Sequence, residues 1–245
     1  MNGYNGVYLM GDYPDAERFK AAALLGMERF DFLEVGVPFS DPVADGPVIA
    51  RAAEAVLERG FRLDDLARSV SDIRAKAPDG KRIYFMTYAN PVHNRGLARF
   101  ADLSKRAGAD GVIVPDVPFV ESAPFRDAFG AQGLDYINFA TPENTPGQIR
   151  EIARAARGFL YFVSIRGITG SGFTLDSSTR SKIRQARRSS AVPVVLGFGI
   201  RSADDARAAA ALAGGFIVGT GVVEALGSGG IEGYGRYLDS LFAGE

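Results

Sequence analysis

The stretch Phe30-Asp-Phe-Leu-Glu-Val-Gly-Val-Pro-Phe-Ser-Asp-Pro-Val-Ala-Asp-Gly46 decides how the chain folds and where its chemistry lies. It opens on a nearly continuous apolar run, which is typical of a strand buried on both faces in a parallel sheet. Glu34 interrupts that run, and a carboxylate there is costly to bury unless it is paired or its pKa is raised. The loop that follows carries Ser40, Asp41 and Asp45 among turn-forming glycines and prolines. Glu34 and Asp45 are therefore predicted to share one site.

Eight apolar runs recur along the chain, and amphipathic segments with helical spacing separate them. The runs are Val7–Met10, Phe30–Val35, Ile83–Tyr88, Gly111–Val114, Tyr136–Phe139, Phe159–Val163, Val192–Leu196 and Phe216–Val218. Strict alternation of strands with helices requires right-handed crossovers and a parallel sheet. Eight such units in 245 residues predict a single (β/α)8 TIM barrel domain over residues 1–245, with an open doubly wound sheet as the alternative.

The composition argues against several classes of function. Formal net charge is −1 and no long block of one sign is present, so neither nucleic acid nor an anionic membrane is expected as a partner. The chain has no cysteine, which rules out disulfides and thiolate metal sites and fits a cytoplasmic location. No segment approaches the ~20 apolar residues that span a bilayer. The only histidine, His93, is predicted to be an ordinary loop residue, so acid–base chemistry would rest on carboxylates, tyrosine or lysine unless His93 is itself the catalyst.

Glycine is concentrated in the loops that follow the last three apolar runs. In barrels the active site lies at the C-terminal ends of the strands, and a phosphate is commonly bound between the loops after strands 7 and 8, at the start of a short extra helix. Gly199, Gly219 and Thr220 stand at those places, and Val222–Leu226 would supply the helix. Tight turns are the alternative explanation. The placement after two successive late strands favours phosphate binding.

For two further features, the residues alone allow both a functional and a structural interpretation. The loop Arg166–Ser178 is long, small and polar, which suits a lid that closes over substrate, but an ordinary surface loop would have the same composition. Tyr88 and Tyr161 end or lie in predicted strands, where an aromatic ring belongs to the core more often than to a site.

The stretch Leu33–Pro47 resembles the signature of the tryptophan synthase alpha chain family, and shorter segments agree with that family in order. These segments are Gly11-Asp12, Tyr88-Ala-Asn90, Asp116-Val-Pro118, Glu121–Phe125, Arg166–Gly170 and Gly197–Ile200. The similarity runs from the first strand to about Val223. It implies a (β/α)8 lyase that cleaves indole-3-glycerol phosphate into indole and glyceraldehyde 3-phosphate, with no cofactor and no metal.

The resemblance also assigns the site residue by residue. Glu34 and Asp45 match the two catalytic carboxylates of the family. The substrate-binding positions are Tyr88, Tyr161, Thr169 and Phe198. The phosphate-binding positions are Gly170, Gly199, Gly219 and Thr220, with threonine where a serine is usual. Thr169 would hydrogen-bond Asp45 only when the lid closes.

The chemistry explains why two carboxylates are needed. Cleavage at indole C3 requires a proton on C3, a positive charge tolerated at the ring nitrogen, and removal of a hydroxyl proton from the glycerol chain. Glu34, buried in a strand, is expected to have the raised pKa of a proton donor, and Asp45 is expected to stay ionised against the indole N–H. Two alternatives remain. One is another phosphate-binding barrel enzyme, although a Schiff-base aldolase needs a strand-end lysine that this chain lacks, and the other is a non-catalytic activator, which would be expected to have lost Glu34 or Asp45.

In the resembled family the barrel docks on a pyridoxal-phosphate-dependent beta chain that takes up indole, so an α2β2 assembly is expected here, with docking through the loop Pro38–Pro47 and the lid. The sequence departs from typical members in two ways. Only six residues precede the first strand, where a further helix usually covers the bottom of the barrel. The aromatic residue expected on strand one is Val7, which would enlarge the indole pocket.

Overall fold

The structure is a computed structural model that describes residues 3–163, 175–197 and 199–243. Its strands are β1 (Gly6–Met10), β2 (Phe32–Gly36), β3 (Arg82–Met86), β4 (Gly111–Ile113), β5 (Asp135–Ala140), β6 (Leu160–Val163), β7 (Val194–Gly197) and β8 (Ile217–Val218). Its helices are α1 (Ala16–Arg29), α2 (Pro47–Leu57), α3 (Leu63–Lys76), α4 (Ala89–Arg95), α5 (Leu97–Arg106), α6 (Ala123–Gly130), α7 (Pro146–Ala155), α8 (Ser177–Ser189), α9 (Ala203–Ala213) and α10 (Thr220–Leu241).

The strands form a closed parallel barrel. They are hydrogen-bonded in the order β7-β6-β5-β4-β3-β2-β1-β8. A parallel bridge between Leu196 and Phe216 joins β7 to β8, and the Leu196 N–H donates to the Gly215 carbonyl at 3.0 Å. This contact closes the sheet on itself and excludes the open doubly wound alternative. The prediction of a (β/α)8 barrel is confirmed.

Aromatic rings fill the N-terminal end of the barrel, which we call the floor and define as Tyr4, Phe32, Tyr84 and Phe159. Phe32 stacks on Tyr4 at 4.9 Å and on Phe159 at 4.8 Å between ring centroids. Tyr84 meets Phe32 and Phe159 edge-on at 5.6 and 5.2 Å. Such pairs add stability beyond the apolar area that they bury. In the described residues no helix precedes β1, and the partly buried ring of Tyr4 covers Phe32 at this end of the barrel.

Glycines on neighbouring strands make room for the rings of the floor. A Cβ atom on Gly6 would lie 2.2 Å from the Phe32 ring, and one on Gly111 would lie 3.0 Å from the Tyr84 ring. Any larger residue at these two positions would push a ring out of the barrel, because interiors are close-packed.

The opposite end of the barrel, which we call the mouth, comprises the C-terminal ends of the strands and the loops that follow them. The segment around His93 lies at this end. The prediction that it is a loop is wrong, because it forms α4. Helix formation is possible because Pro91 occupies the first turn, where its missing N–H is not needed. The Asp116 carboxylate accepts the Ala89 N–H at 3.0 Å, which satisfies a donor at the start of α4.

The last helix is longer than the predicted short helix. Val222–Leu226 lies in the first part of α10, which is interrupted at Gly230, where φ is 58°. Thr220 is the first residue of this helix and directly follows β8. The helix start therefore lies at the mouth, as the phosphate-site prediction requires.

Candidate active site

Glu34 points into the barrel from the middle of β2 and is 1% exposed. Its Oε2 atom is buried and has no hydrogen-bond partner in the described part of the chain. Burial first, and then the charge of Asp45, raise the pKa of Glu34 to about 8. A buried carboxyl group with this pKa is protonated near neutral pH, because desolvation disfavours its charged form. Glu34 therefore has the protonation state of a general acid, as the sequence predicted.

Asp45 lies on the loop between β2 and α2 and is held by Tyr88. The Tyr88 hydroxyl donates to Asp45 Oδ2 at 3.0 Å and accepts the Ala44 N–H at 3.1 Å. Burial raises the pKa of Asp45, and the hydrogen bond from Tyr88 opposes that rise. The prediction that Tyr88 ends the third strand is wrong: β3 ends at Met86, and Tyr88 is the residue immediately before α4. It fixes the loop across the mouth so that Asp45 faces Glu34.

Tyr161 and Tyr8 complete the polar lining of the mouth. Burial and the charges of Glu34 and Asp45 raise the pKa of the Tyr161 hydroxyl well above its ordinary value. The ring of Tyr161 occupies the space that a Cβ atom on Gly197 would need, since that atom would lie 2.2 Å from it. Tyr161 also stacks on Phe139 at 5.0 Å. These contacts hold its hydroxyl in the site rather than in the core between barrel and helices.

Tyr8 is a site residue that the sequence interpretation missed. The prediction that Val7 is the strand-one residue of the indole pocket is wrong, because Val7 belongs to the outer cluster between β1 and the helices. Tyr8 belongs to the inner cluster together with Tyr84 and Tyr161. The signal was available: β1 pairs Tyr8 with Glu34, and strand residues alternate between the two faces. The site therefore does have an aromatic ring on β1.

The late glycines come together at the rim of the barrel. The bridge between Leu196 and Phe216 sets the register of β7 and β8, and Gly199 and Gly219 each follow it by three residues. Gly199 has φ of 82°, a conformation that favours glycine. Gly219 is the N-cap of α10 and Thr220 is its first residue, so the unpaired N–H groups of the first turn point out of the mouth here. This arrangement suits an anion.

Some predicted site residues lie outside the described residues. These are Thr169, Gly170 and Phe198. Most of the predicted lid Arg166–Ser178 lies there too, but its end needs correction: Ser177 and Ser178 begin α8, because Asp176 caps that helix by accepting the Thr179 N–H at 2.6 Å.

Three further features of the described residues bear on function. Within residues 3–163, 175–197 and 199–243, no group of three or more His, Cys, Asp and Glu side chains could hold a metal ion. None of the helices in these residues has the length and the apolar composition that crossing a membrane requires. A cleft of about 520 Å³ between α8 and α9 is lined by Arg180, Arg184, Arg187 and Arg188, but it contains no carboxyl group that could act as an acid or base.

Comparison with known proteins agrees with this geometry. The family described as "Tryptophan synthase alpha chain" matches residues 7–234. The tryptophan synthase alpha chain of Synechococcus elongatus is 40% identical over 230 residues, which cover 92% of this chain and 85% of the relative. That of Geobacter sulfurreducens is 41% identical over 201 residues, which cover 82% of this chain and 75% of the relative.

Solved structures give the same result. A chain from a structure of the tryptophan synthase α2β2 complex of the hyperthermophile Pyrococcus furiosus matches with a TM-score of 0.90 and 28% identity, and the match covers 98% of both chains. A chain of tryptophan synthase from M. tuberculosis matches with a TM-score of 0.86 and 34% identity, covering 98% of this chain and 91% of its own. This chain therefore belongs to the tryptophan synthase alpha chain family, whose members are lyases that cleave indole-3-glycerol phosphate.

Proposed function

We propose that the mouth cleaves indole-3-glycerol phosphate into indole and glyceraldehyde 3-phosphate, with Glu34 as the acid and base and Asp45 as the electrostatic partner of the indole ring. The observation that carries this assignment is the contrast between the two carboxyl groups. Glu34 is sealed in the barrel with an unpaired oxygen, whereas Asp45 accepts a hydrogen bond from Tyr88 and is only partly buried. When two carboxyl groups lie in environments that give them different pKa values, one can donate a proton while the other stays charged.

The reaction follows from these roles. Glu34 gives its proton to indole C3, which leaves a cation that extends to the ring nitrogen. Asp45 accepts the N–H of that nitrogen and stabilises the charge. The Glu34 carboxylate then takes the proton of the hydroxyl group on the carbon attached to C3. The bond between C3 and that carbon breaks, its electrons return to the ring, and the carbon becomes the aldehyde of glyceraldehyde 3-phosphate. Glu34 ends the cycle protonated.

The phosphate would bind at Gly199, Gly219 and Thr220, together with Gly170. The support is the meeting of two glycine loops with the first turn of α10. A Cβ atom on Gly219 would make only ordinary contacts, at 3.6 Å from Tyr8 Cβ and 3.8 Å from Ile49 Cδ1, so Gly219→Val tests crowding of the phosphate site. We expect it to raise KM for the phosphorylated substrate much more than it lowers the stability of the fold. A sulfate-soaked crystal with its anion elsewhere in the mouth would contradict this assignment.

An indole-release assay tests the lyase proposal. Glu34→Gln keeps the shape of the side chain and removes the proton transfer, so turnover should fall by at least ~10²-fold. Glu54→Gln, on the exposed face of α2, is the matched control and should keep wild-type turnover. Near-normal activity of Glu34→Gln would refute the role of Glu34, and a wild-type protein that releases no indole would refute the proposed activity.

We infer that a beta chain docks on the mouth through the loop Pro38–Pro47 and the lid. Val43 in that loop is 82% exposed, and Val120, in the short 3-10 helix Phe119–Glu121 between β4 and α6, is 81% exposed. Both large apolar side chains therefore lie at the end of the barrel where indole would leave. Binding that orders the lid over Asp45 would raise turnover. Free indole is apolar and membrane-permeant, which gives direct transfer a clear advantage.

Isothermal titration with a beta chain from the same source, combined with the indole-release assay, tests docking. Val43→Asp places a charge in the proposed interface and should weaken binding by at least ~10-fold. Gln132→Asp, in the exposed turn between α6 and β5 at the floor end, is the control and should bind normally. If the wild type shows full turnover alone and binds no beta chain, it is a stand-alone lyase.

We also propose a cytoplasmic location, because the phosphorylated substrate is charged and does not cross membranes unaided. Activity in the cytoplasmic fraction of fractionated cells is the expected result. Activity confined to another fraction would contradict it.

A further inference from the structure

The side chain of Tyr8 spans the wall of the barrel between the proposed phosphate site and Glu34. At its base, the Tyr8 Cβ atom lies 3.6 Å from where a Cβ atom on Gly219 would be. At its tip, the Tyr8 hydroxyl lies 2.1 Å from where a Cβ atom on Gly36 would be. Gly36 follows Glu34 by two residues on the same face of β2. The hydroxyl is thus placed over β2, one layer nearer the opening than Glu34.

The hydroxyl group of Tyr8 is not needed to fill this space. The ring packs among the residues of the inner cluster, where phenylalanine would fit equally well. Within residues 3–163, 175–197 and 199–243, the hydroxyl makes no hydrogen bond of its own, whereas Tyr88 holds Asp45 and Tyr4 meets Tyr84. Burial first, and then the charges of Asp45 and Glu34, raise the pKa of Tyr8 well above its ordinary value. The group therefore remains a hydrogen-bond donor at any pH at which the protein would be assayed.

The order of the strands determines which part of a bound substrate lies next to the Tyr8 hydroxyl. β1 lies between β8, which leads into Gly219, and β2, which carries Glu34. A substrate with its phosphate at Gly219 and its reacting carbon at Glu34 must run its glycerol chain across β1. That chain bears two hydroxyl groups. Glu34 uses the one on the carbon attached to the indole, and the one on the middle carbon has no assigned partner.

We propose that the Tyr8 hydroxyl hydrogen-bonds the hydroxyl on the middle carbon of the glycerol chain and so selects for a hydroxylated chain between ring and phosphate. This inference rests on the proposed function and deepens it. Tyr8 is a substrate-binding residue in this role, because it touches the part of the substrate that does not react. A site with a buried donor discriminates against an analogue that lacks the matching hydroxyl, since the donor is then left unpaired.

Tyr8→Phe tests the proposal with two ligands. The first is indole-3-glycerol phosphate, and the second is an inhibitor in which an unsubstituted propyl chain joins indole C3 to the phosphate. Loss of one neutral hydrogen bond should lower kcat/KM for the substrate by about 3- to 10-fold and leave the inhibition constant of the propyl compound within ~2-fold of wild type. Tyr136→Phe is the control, because the buried Tyr136 hydroxyl has no partner in the described residues and lies outside the barrel.

The outcomes separate this inference from the proposed function. If the wild type releases indole and Tyr8→Phe matches it, or if both ligands lose equally, the inference is overturned and the lyase stands. If the wild type releases no indole, both are overturned. Should Tyr8→Phe fail to fold, a crystal of the wild type with glycerol 3-phosphate decides: the Tyr8 hydroxyl should lie within about 3.2 Å of the middle hydroxyl, and a distance above ~3.5 Å overturns the inference.

Discussion

The floor and the mouth of this barrel are both lined by aromatic side chains, but their buried polar groups differ in hydrogen bonding. At the floor, Tyr4 and Tyr84 bring their hydroxyls to 3.3 Å from each other, and stacked rings surround them. At the mouth, the oxygen Oε2 of Glu34 is buried without a partner in the described residues. An unpaired buried polar atom lowers stability, so the mouth is less stable than a core of the same size would be. The floor therefore pairs its polar groups and adds stability, whereas the mouth keeps an unpaired buried acid, which is the feature that the proposed lyase reaction uses.

The largest effect on stability is expected when one aromatic ring of the floor is removed and the result is compared with removal of one ring at the mouth. Phe159→Ala removes the ring between Phe32 and Tyr84 and should lower the free energy of unfolding by about 3–5 kcal/mol, with kcat unchanged in the folded fraction. Phe139→Ala at the mouth should cost less stability, because Phe139 is only partly buried, but it should lower kcat/KM through loss of the stack on Tyr161. Urea unfolding and indole release measure both. Equal effects of the two variants on stability and activity would contradict the division.

The second effect is the dependence of stability on pH. Because the folded protein raises the pKa of Glu34 from 4.5 to about 8, burial of this carboxyl group costs least below pH 4.5, and the free energy of unfolding falls as pH rises to 8. A tenfold difference in proton affinity between the folded and unfolded chains corresponds to about 1.4 kcal/mol, so the loss over this window amounts to several kcal/mol. Urea unfolding of wild type and Glu34→Gln at pH 5, 6.5 and 8 should show the variant gaining relative stability with pH. Parallel curves would be inconsistent with a buried acid at Glu34.

A smaller effect is expected for the hydrogen bond that positions Asp45. Tyr88→Phe removes the donor to Asp45 and the acceptor of the Ala44 N–H, so kcat/KM should fall by about 10-fold and stability by about 1 kcal/mol. Tyr136→Phe is the matched control, because its hydroxyl has no partner in the described part of the chain and its loss breaks no bond. Steady-state indole release is the measurement. A normal rate for Tyr88→Phe would mean that the loop holds Asp45 without it.

The smallest effect sharpens the comparison at the floor. Tyr4→Phe removes only the hydroxyl that meets Tyr84 and keeps the ring stacked on Phe32. The free energy of unfolding should fall by about 0.5–1 kcal/mol, with kcat and KM unchanged. A change in either kinetic constant would show that the floor and the mouth are coupled.

Much of the fold could be predicted because it depends on local patterns. The eight apolar runs and their helical connections fix the number and order of strands, and the observed strands overlap all eight. The observed strand ends differ from the predicted ones by up to two residues, since the last hydrogen bonds depend on the neighbouring strand. The helix around His93 escaped prediction because the Asp116 carboxylate that caps it comes from a loop 27 residues later in the chain. That residues 1–245 form one domain stays a prediction.

The sequence alone was enough to predict the candidate site residues: a carboxylate inside an apolar strand, a second one on the loop behind it, and glycines after the last two strands. Which side chains face those residues depends on the tertiary structure. Val7 and Tyr8 are neighbours in sequence, and the register of β1 against β2 turns Tyr8 toward Glu34 and Val7 toward the helices. Likewise, the donor that positions Asp45 comes from Tyr88, 43 residues away. Such contacts depend on strand register and barrel closure, which arise only when distant strands pair.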